Sequence, residues 1–217
     1  MRNVIPIKKQ KRGFFVPIGI FVALFGYLLG SIPTGLLLTK FFSKADPRKI
    51  GSKNIGATNI FRTAGRRLGI LTLIGDILKG MIPVVMAFSL ITSNKWGIPV
   101  DYWIALAGLS PIVGHVFPIF LGFKGGKGVA TALGVYFFIS TAAVILEAIL
   151  FVFIVWRWRF ISLGSVACGM TIPILIAFLT DSRAYFILSI VIAALILYRH
   201  QSNISRLLQG TENKWKT

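Results

Sequence analysis

Cysteine is nearly absent from this 217-residue chain: Cys168 stands alone, inside an apolar run. A disulfide framework is therefore excluded, and the redox compartment is left open. Acidic residues are scarce as well, six Asp and Glu against 24 Lys and Arg, and charged residues of both signs make up only 14% of the chain. A soluble domain carries about 25%. With so few carboxylates, the polar segments hold no clustered aspartates and no set of metal ligands, so no metal or other cofactor is expected. Long polar stretches are also rare, which leaves no room for a second folded unit.

What the chain has instead is apolar length. Hydrophobic residues make up 55% of it, with a mean hydropathy of +0.79. They lie in continuous runs, not in an amphipathic stripe, so they face lipid. The runs are Phe14–Phe42, Leu68–Ile91, Tyr102–Leu121, Val129–Trp156, Phe160–Leu179 and Ala184–Tyr198. The first is too long for a signal-peptide core and lacks a small-residue cleavage site, so it is read as a retained span. Pro33, flanked by Gly30 and Gly35, is expected to kink or unwind its last third.

A net charge of +18 on a soluble protein would point to nucleic acid. Here the cations fall in loops between apolar runs, which points to the positive-inside rule and to anionic ligands, with no nucleic-acid partner. The run Val129–Trp156 decides the topology. As one helix it would be about 40 Å long, against a hydrocarbon core of about 30 Å. As a hairpin turning near Ser140–Thr141, its two arms bring Arg157, Arg159, Arg199 and Arg206 to the same face as Arg48, Arg62 and Lys127. That arrangement obeys the charge rule better. The expected fold is an all-α, polytopic membrane helical bundle of about seven transmembrane helices, N-terminus outside and C-terminus cytoplasmic. Residues 1–13 form a basic tail, 14–199 the membrane domain, and 200–217 a cytoplasmic tail. Lys8, Lys9, Lys11 and Arg12 sit on the side the rule disfavours; the larger cytoplasmic excess outweighs them.

Three polar segments carry chemistry. Gly51-Ser52-Lys53-Asn54-Ile55-Gly56-Ala57-Thr58-Asn59, followed by Arg62, Arg66 and Arg67, combines glycines for close backbone approach, short hydroxyl and amide donors, and guanidinium forks for phosphate oxygens. Gly114-His115 and then Gly122-Phe123-Lys124-Gly125-Gly126-Lys127-Gly128 superficially resemble a nucleotide-binding P-loop. The spacing is one residue short, though, and Gly128 replaces the required Ser or Thr. A glycine-lysine turn opening a helix still makes an anion site. In Arg199-His200-Gln201-Ser202-Asn203-Ile204-Ser205-Arg206, the residues Arg199, Asn203 and Arg206 are expected on one helix face. Asp76 and Lys79, three apart within an apolar run, are expected to pair with each other. Glu147 is expected towards the external side of the hairpin, and His115 to orient the second loop.

The order and spacing of these segments resemble the bacterial glycerol-3-phosphate acyltransferases that use acyl phosphate as donor, the PlsY family. The resemblance runs from about Gly30 to Glu212 and includes Gly30-Ser31-Ile32-Pro33, Asp76 with Lys79-Gly80, and Ser165. Lys53 stands where the family's second loop glycine is expected, and a lysine resists positive φ. The resemblance implies transfer of a fatty acyl group from acyl phosphate to glycerol 3-phosphate. The products would be lysophosphatidic acid and inorganic phosphate, made at the cytoplasmic side of a bacterial cell (inner) membrane. It implies membrane lipid as surroundings and no obligate protein partner. It also implies a site of Ser52, Thr58, Asn59, Arg62, Lys127, Ser165, His200 and Asn203. Arg62 and Lys127 would clamp phosphate oxygens, Ser52 and nearby amides would complete the cradle, and His200 and Asn203 would lie near the glycerol hydroxyl.

This inventory suits direct transfer without a covalent acyl-enzyme, the proton going to His200 or to a substrate phosphate. The His-x4-Asp motif of acyl-CoA acyltransferases is missing: five residues after His115 stands Phe120, and five after His200 stands Ser205. A transporter of organic anions would need a polar path across the bilayer, yet Asp76, Lys79 and Glu147 are nearly the only ionisable residues at depth.

Overall fold

A computed structural model describes residues 15–91 and 98–215. The basic tail 1–13, Asn94 and Lys95 lie outside the described residues. Every regular element among those described is helical. The order is α1 (Phe15–Ser31), α2 (Thr34–Phe42), α3 (Ala57–Ala64), α4 (Arg66–Leu90), α5 (Val100–Val116), a 3₁₀ turn (Ile119–Leu121), α6 (Val129–Ile139), α7 (Thr141–Trp158), α8 (Ile161–Leu179), α9 (Arg183–Arg199) and α10 (Gln201–Leu208).

Five of these stretches are long and apolar enough to cross a membrane: Ile18–Phe42, Arg66–Leu90, Val100–Leu121, Thr141–Trp158 and Ile161–Leu179. The pair α9 and α10, bent by 59°, makes a sixth if counted as one span. The fold is thus an all-α membrane bundle with five or six spans by length and composition, against about seven expected. The difference is α6. Its 11 residues rise only about 16 Å, roughly half the hydrocarbon thickness. The long apolar run does break at Ser140, whose extended backbone (φ −156°, ψ 92°) ends α6 and whose side chain caps α7. The two arms are unequal, 11 and 18 residues, and α7 alone is long enough to span.

The outer faces are greasy: Phe178 is 84% exposed, and Phe153, Trp156, Ile149 and Val152 are exposed along α7. In a bilayer those faces meet acyl chains at no cost. Inside, Val84, Ala107, Ile112, Val135, Ile176 and Ile192 form the core. Helices α4 and α6 touch backbone to backbone. A Cβ on Gly80 would lie 2.1 Å from Thr131 O, and one on Gly134 would lie 2.0 Å from Ile77 O. Small residues that permit such approach are how membrane helices gain packing.

The first run is broken at Ile32-Pro33, as the proline predicts. The break frees the Ile32 carbonyl, which accepts from Lys79 Nζ at 3.2 Å and from Thr34 N at 3.0 Å. Lys79 in turn pairs with Asp76 at 2.9 Å, both side chains buried. The expected pair therefore exists, and its work is structural: it ties the broken helix to α4. His115 Nδ1, on α5, lies 3.8 Å from Asp76 Oδ1, too far for a hydrogen bond.

Candidate active site

One cavity of about 500 Å³ opens between the helices and their connecting loops. All eight residues singled out from sequence line it: Ser52, Thr58, Asn59, Arg62, Lys127, Ser165, His200 and Asn203. They come from four segments far apart in the chain, and the loop geometry explains how each arrives.

In the first loop, Asn59 is the organiser. Its Oδ1 accepts from Ser52 N at 2.9 Å, while Nδ2 donates to Pro47, Ile50 and Asn54 carbonyls. Buried with its polar atoms engaged, Asn59 shapes the loop around it. A Cβ on Gly51 would meet Asn59 Oδ1 at 2.3 Å, which is why glycine stands there. Lys53 takes the left-handed conformation, φ 55°, in place of a glycine. The turn thus keeps the geometry a glycine would give, at the cost of a strained lysine. Helix α3 then begins at Gly56 without a side-chain cap, and Ala57 and Thr58 of its first turn line the cavity.

The second loop works differently from a phosphate-binding nest. The N–H of Gly126 donates to His115 O at 3.0 Å and that of Gly125 to Val116 O at 3.2 Å. Their carbonyls accept from Arg199, Nε to Gly126 O at 3.0 Å and Nη2 to Gly125 O at 2.7 Å. A Cβ on Gly126 would collide with the His115 ring at 2.0 Å. These amides are occupied, so the expected backbone cradle is not formed by them. The loop instead holds Lys127 rigidly at the start of α6, and His115 serves as its floor.

Lys127 Nζ donates to Asn203 Oδ1. Asn203 Nδ2 donates to Glu212 Oε1 at 2.7 Å, which also accepts from Ser162 Oγ at 2.8 Å; Arg206 Nε donates to Glu212 Oε2 at 2.7 Å. Burial pulls the Lys127 ammonium down to about 8, Glu212 pulls it back up, and Arg206, Arg199 and Arg62 push it lower. Burial raises the Glu212 carboxyl, but the hydrogen bonds from Asn203, Ser162 and Arg206 outweigh it and hold it below the usual carboxylate range. At His200 the helix bends, and ring Nδ1 lies 2.8 Å from Ile196 O. A carbonyl only accepts, so the proton of the neutral ring sits on Nδ1 and Nε2 carries the lone pair. Ser165 Oγ donates to Ile161 O, one turn back.

Two features were not foreseen. The segment expected as a tail returns to the site: Glu212 and Trp215 line the cavity, Asn213 O accepts from Arg62 Nη2 at 3.4 Å, and Trp215 packs on Phe61 with the Arg62 guanidinium 5.9 Å from its ring. Glu147, expected far from the cluster, lines the same cavity. The bend at His200 also splits the expected shared face, sending Arg199 to the second loop and Asn203 and Arg206 to Glu212.

Cations at helix ends, above a cavity with an apolar wall, are a place for an amphiphilic phosphate. Residues 20–210 match the family described as glycerol-3-phosphate acyltransferase. The chain belongs to that family. The enzyme is 50% identical over 190 residues to a glycerol-3-phosphate acyltransferase of Geotalea daltonii, covering 88% of this chain and 94% of that one. It is 49% identical over 198 residues to one of Trichlorobacter lovleyi, covering 91% and 98%. Its fold is similar, at TM-score 0.84 and 38% identity over 92% of this chain and 96% of the other, to a crystal structure of PlsY (YgiH), an integral membrane glycerol 3-phosphate acyltransferase in its glycerol 3-phosphate form. The lysophosphatidic acid form of that protein gives TM-score 0.82. The acyltransferase is thus an integral membrane enzyme of phospholipid synthesis, and its cavity is the candidate active site.

Proposed function

We propose that this acyltransferase moves a fatty acyl group from acyl phosphate to glycerol 3-phosphate, releasing lysophosphatidic acid and inorganic phosphate. The observation that supports it is the pairing, in one cavity, of Lys127 and Arg62 with an apolar arm formed by Leu133, Val144, Phe151 and Ile172. The cations stand at helix ends and the apolar residues lie further along α6, α7 and α8. PlsY has been seen with glycerol 3-phosphate and with lysophosphatidic acid, and the same kinds of ligand suit this cavity.

An acyl phosphate is a mixed anhydride with phosphate as leaving group. Lys127 and Arg62 neutralise the facing phosphates of donor and acceptor, which would otherwise repel. Holding both converts a two-body encounter into a near-unimolecular attack of the glycerol hydroxyl on the carbonyl. The C–O bond to the bridging oxygen breaks, phosphate departs, and the hydroxyl proton goes to His200 Nε2 or to a substrate phosphate. Ser52 and Thr58 supply hydroxyl donors beside the cations. Among the described residues no group of His, Cys, Asp and Glu is arranged to hold a metal ion, and the proposal needs none. The test is purified protein with glycerol 3-phosphate and, in turn, acyl phosphate, acyl-CoA and free fatty acid, all in excess chelator. Acylation from acyl phosphate alone is expected; acylation only from acyl-CoA, or only after a metal is restored, would overturn the reading.

The same proposal includes a topology of seven crossings, in which the short α6 crosses buried against α4 where the bilayer thins, with the N-terminus outside and the site facing the cytoplasm. It is supported by the break at Ser140 and by the cations that gather near Lys127. After Cys168→Ala, single cysteines at Ser52, Thr141, Ser182 and Ser202 are probed with a membrane-impermeant thiol reagent. Thr141 and Ser182 should label on intact cells, Ser52 and Ser202 only on opened ones. Labelling of Ser202 from outside without Ser52 would contradict it.

A further inference from the structure

Two buried polar atoms in the apolar arm have no hydrogen-bond partner among the described residues: Tyr136 Oη on α6 and Glu147 Oε2 on α7. Their residues are 4% and 8% exposed, and both line the cavity. The other carboxyl oxygen, Glu147 Oε1, accepts from Thr171 Oγ1 at 2.8 Å, so the group is fixed from behind with Oε2 left over. Unpaired polar groups in such surroundings are expensive and rare in native structures, and each calls for a ligand or a role. Helix geometry gives their depth. Tyr136 lies about 10 Å along α6 from Val129, next to Lys127, and Glu147 about 16 Å along α7 from Trp158. Both therefore sit part-way down the arm, well below the phosphate end.

We propose that Tyr136 and Glu147 form a polar step in the acyl arm that sets acyl specificity, accepting a chain with a hydroxyl at that depth in preference to a plain chain of the same length. This rests on the acyl-transfer reading of the cavity. A methylene laid against the step leaves both atoms unpaired and excludes the water that would serve them. A hydroxyl there accepts from one and donates to the other. Sites built to hydrogen-bond a substrate hydroxyl reject the analogue lacking it far more strongly than apolar pockets reject an extra methylene. Tyr136 and Glu147 are distant from the reacting phosphates, so they bear on which donor is used and not on the transfer step.

The test compares kcat/KM for an acyl phosphate with a mid-chain hydroxyl and for its unsubstituted counterpart. Wild type, Tyr136→Phe, Glu147→Leu and the double variant are measured. The ratio should favour the hydroxylated chain in wild type and fall at least about tenfold in the double variant. The plain chain should gain rate in absolute terms, and KM for glycerol 3-phosphate should stay constant. An unchanged ratio in folded Tyr136→Phe and double variants would overturn the step. If Glu147→Leu does not fold, Tyr136→Phe, which removes a single oxygen, decides alone. Thermal stabilisation of purified protein by lysophosphatidic acids with and without the mid-chain hydroxyl gives a second readout that needs no donor. Preference there without turnover of any acyl phosphate would overturn the donor reading and leave the step standing; no preference would overturn the step.

Discussion

Lys127 and Asn203 are 76 residues apart in sequence and joined by a hydrogen bond from Nζ to Oδ1. Asn203, on α10, is in turn held by Glu212 of the segment that follows it, so the ammonium is aimed through two relays. The lysine comes from a glycine loop clamped by Arg199, the asparagine from the helix after the His200 bend. A cation placed this rigidly meets a phosphate without searching for it, which is what electrostatic preorganisation requires.

Lys127→Ala should therefore cut kcat/KM by tenfold to over a hundredfold, from loss of one charge-assisted contact of about 1.5–3 kcal/mol. Folding and membrane insertion should be retained, because the loop is held by Arg199 and His115. Turnover near wild type in well-folded Lys127→Ala protein would remove this residue from the site.

Acid–base behaviour follows from the same lysine. Its folded value is about 8 and its ordinary value 10.5, so the cation is lost as pH rises through about 8. The profile of kcat/KM, which reports the free enzyme, should fall above that point. Stability moves the other way: between the two values the unfolded chain binds the extra proton, so this group's contribution grows with pH. Lys127→Arg should carry the activity limb to higher pH. A wild-type profile flat from about pH 7 to pH 10, the span over which the two values lie, would contradict the assignment.

Glu212→Ala should destabilise the protein and slow it together. The carboxylate holds Asn203, Ser162 and Arg206 and is only 6% exposed, so its removal leaves three donors without their acceptor. The expected loss is about 1.5–3 kcal/mol, read as a lower thermal midpoint, with a reduced kcat. Glu212→Gln should recover part of the midpoint. An unaltered midpoint in both variants would show that the returning segment does not brace the site.

Lys53→Gly should raise the thermal midpoint slightly. A left-handed lysine costs about 1–2 kcal/mol, partly offset by glycine's greater chain entropy when unfolded. Lys53→Val, with its branched side chain, should lower the midpoint. The reverse order would mean that the turn does not hold φ 55° in solution.

The helical membrane fold was legible because long apolar runs admit few structures, and the break at Pro33 because proline cannot continue a helix. All eight candidate residues stood out as polar groups in an apolar chain, and the structure gathers them around one cavity. Their individual jobs were less so. Asn59 looks like a donor in sequence, yet its amide is engaged by the loop, a matter of three-dimensional reach. The amides of Gly125 and Gly126 looked available until the His115 and Val116 carbonyls came into view. Glu212 escaped notice because a polar terminus reads as solvated. Its one signal was an acid among basic neighbours six residues after Arg206. Glu147 was read as remote because it is far in sequence from the three polar segments, and only the cavity that runs along α7 joins it to them.

The central claim, direct attack on an acyl phosphate held by Lys127 and Arg62, is tested most directly by a single-turnover reaction. The donor carries ¹⁸O in the bridge between carbonyl and phosphorus, and the protein is purified and kept in chelator. The account predicts one lysophosphatidic acid for each inorganic phosphate, all of the bridging label in the phosphate, and no acyl group on the protein at any time. The label retained in a fatty acid, or an acylated protein that forms and decays at the rate of turnover, would contradict it.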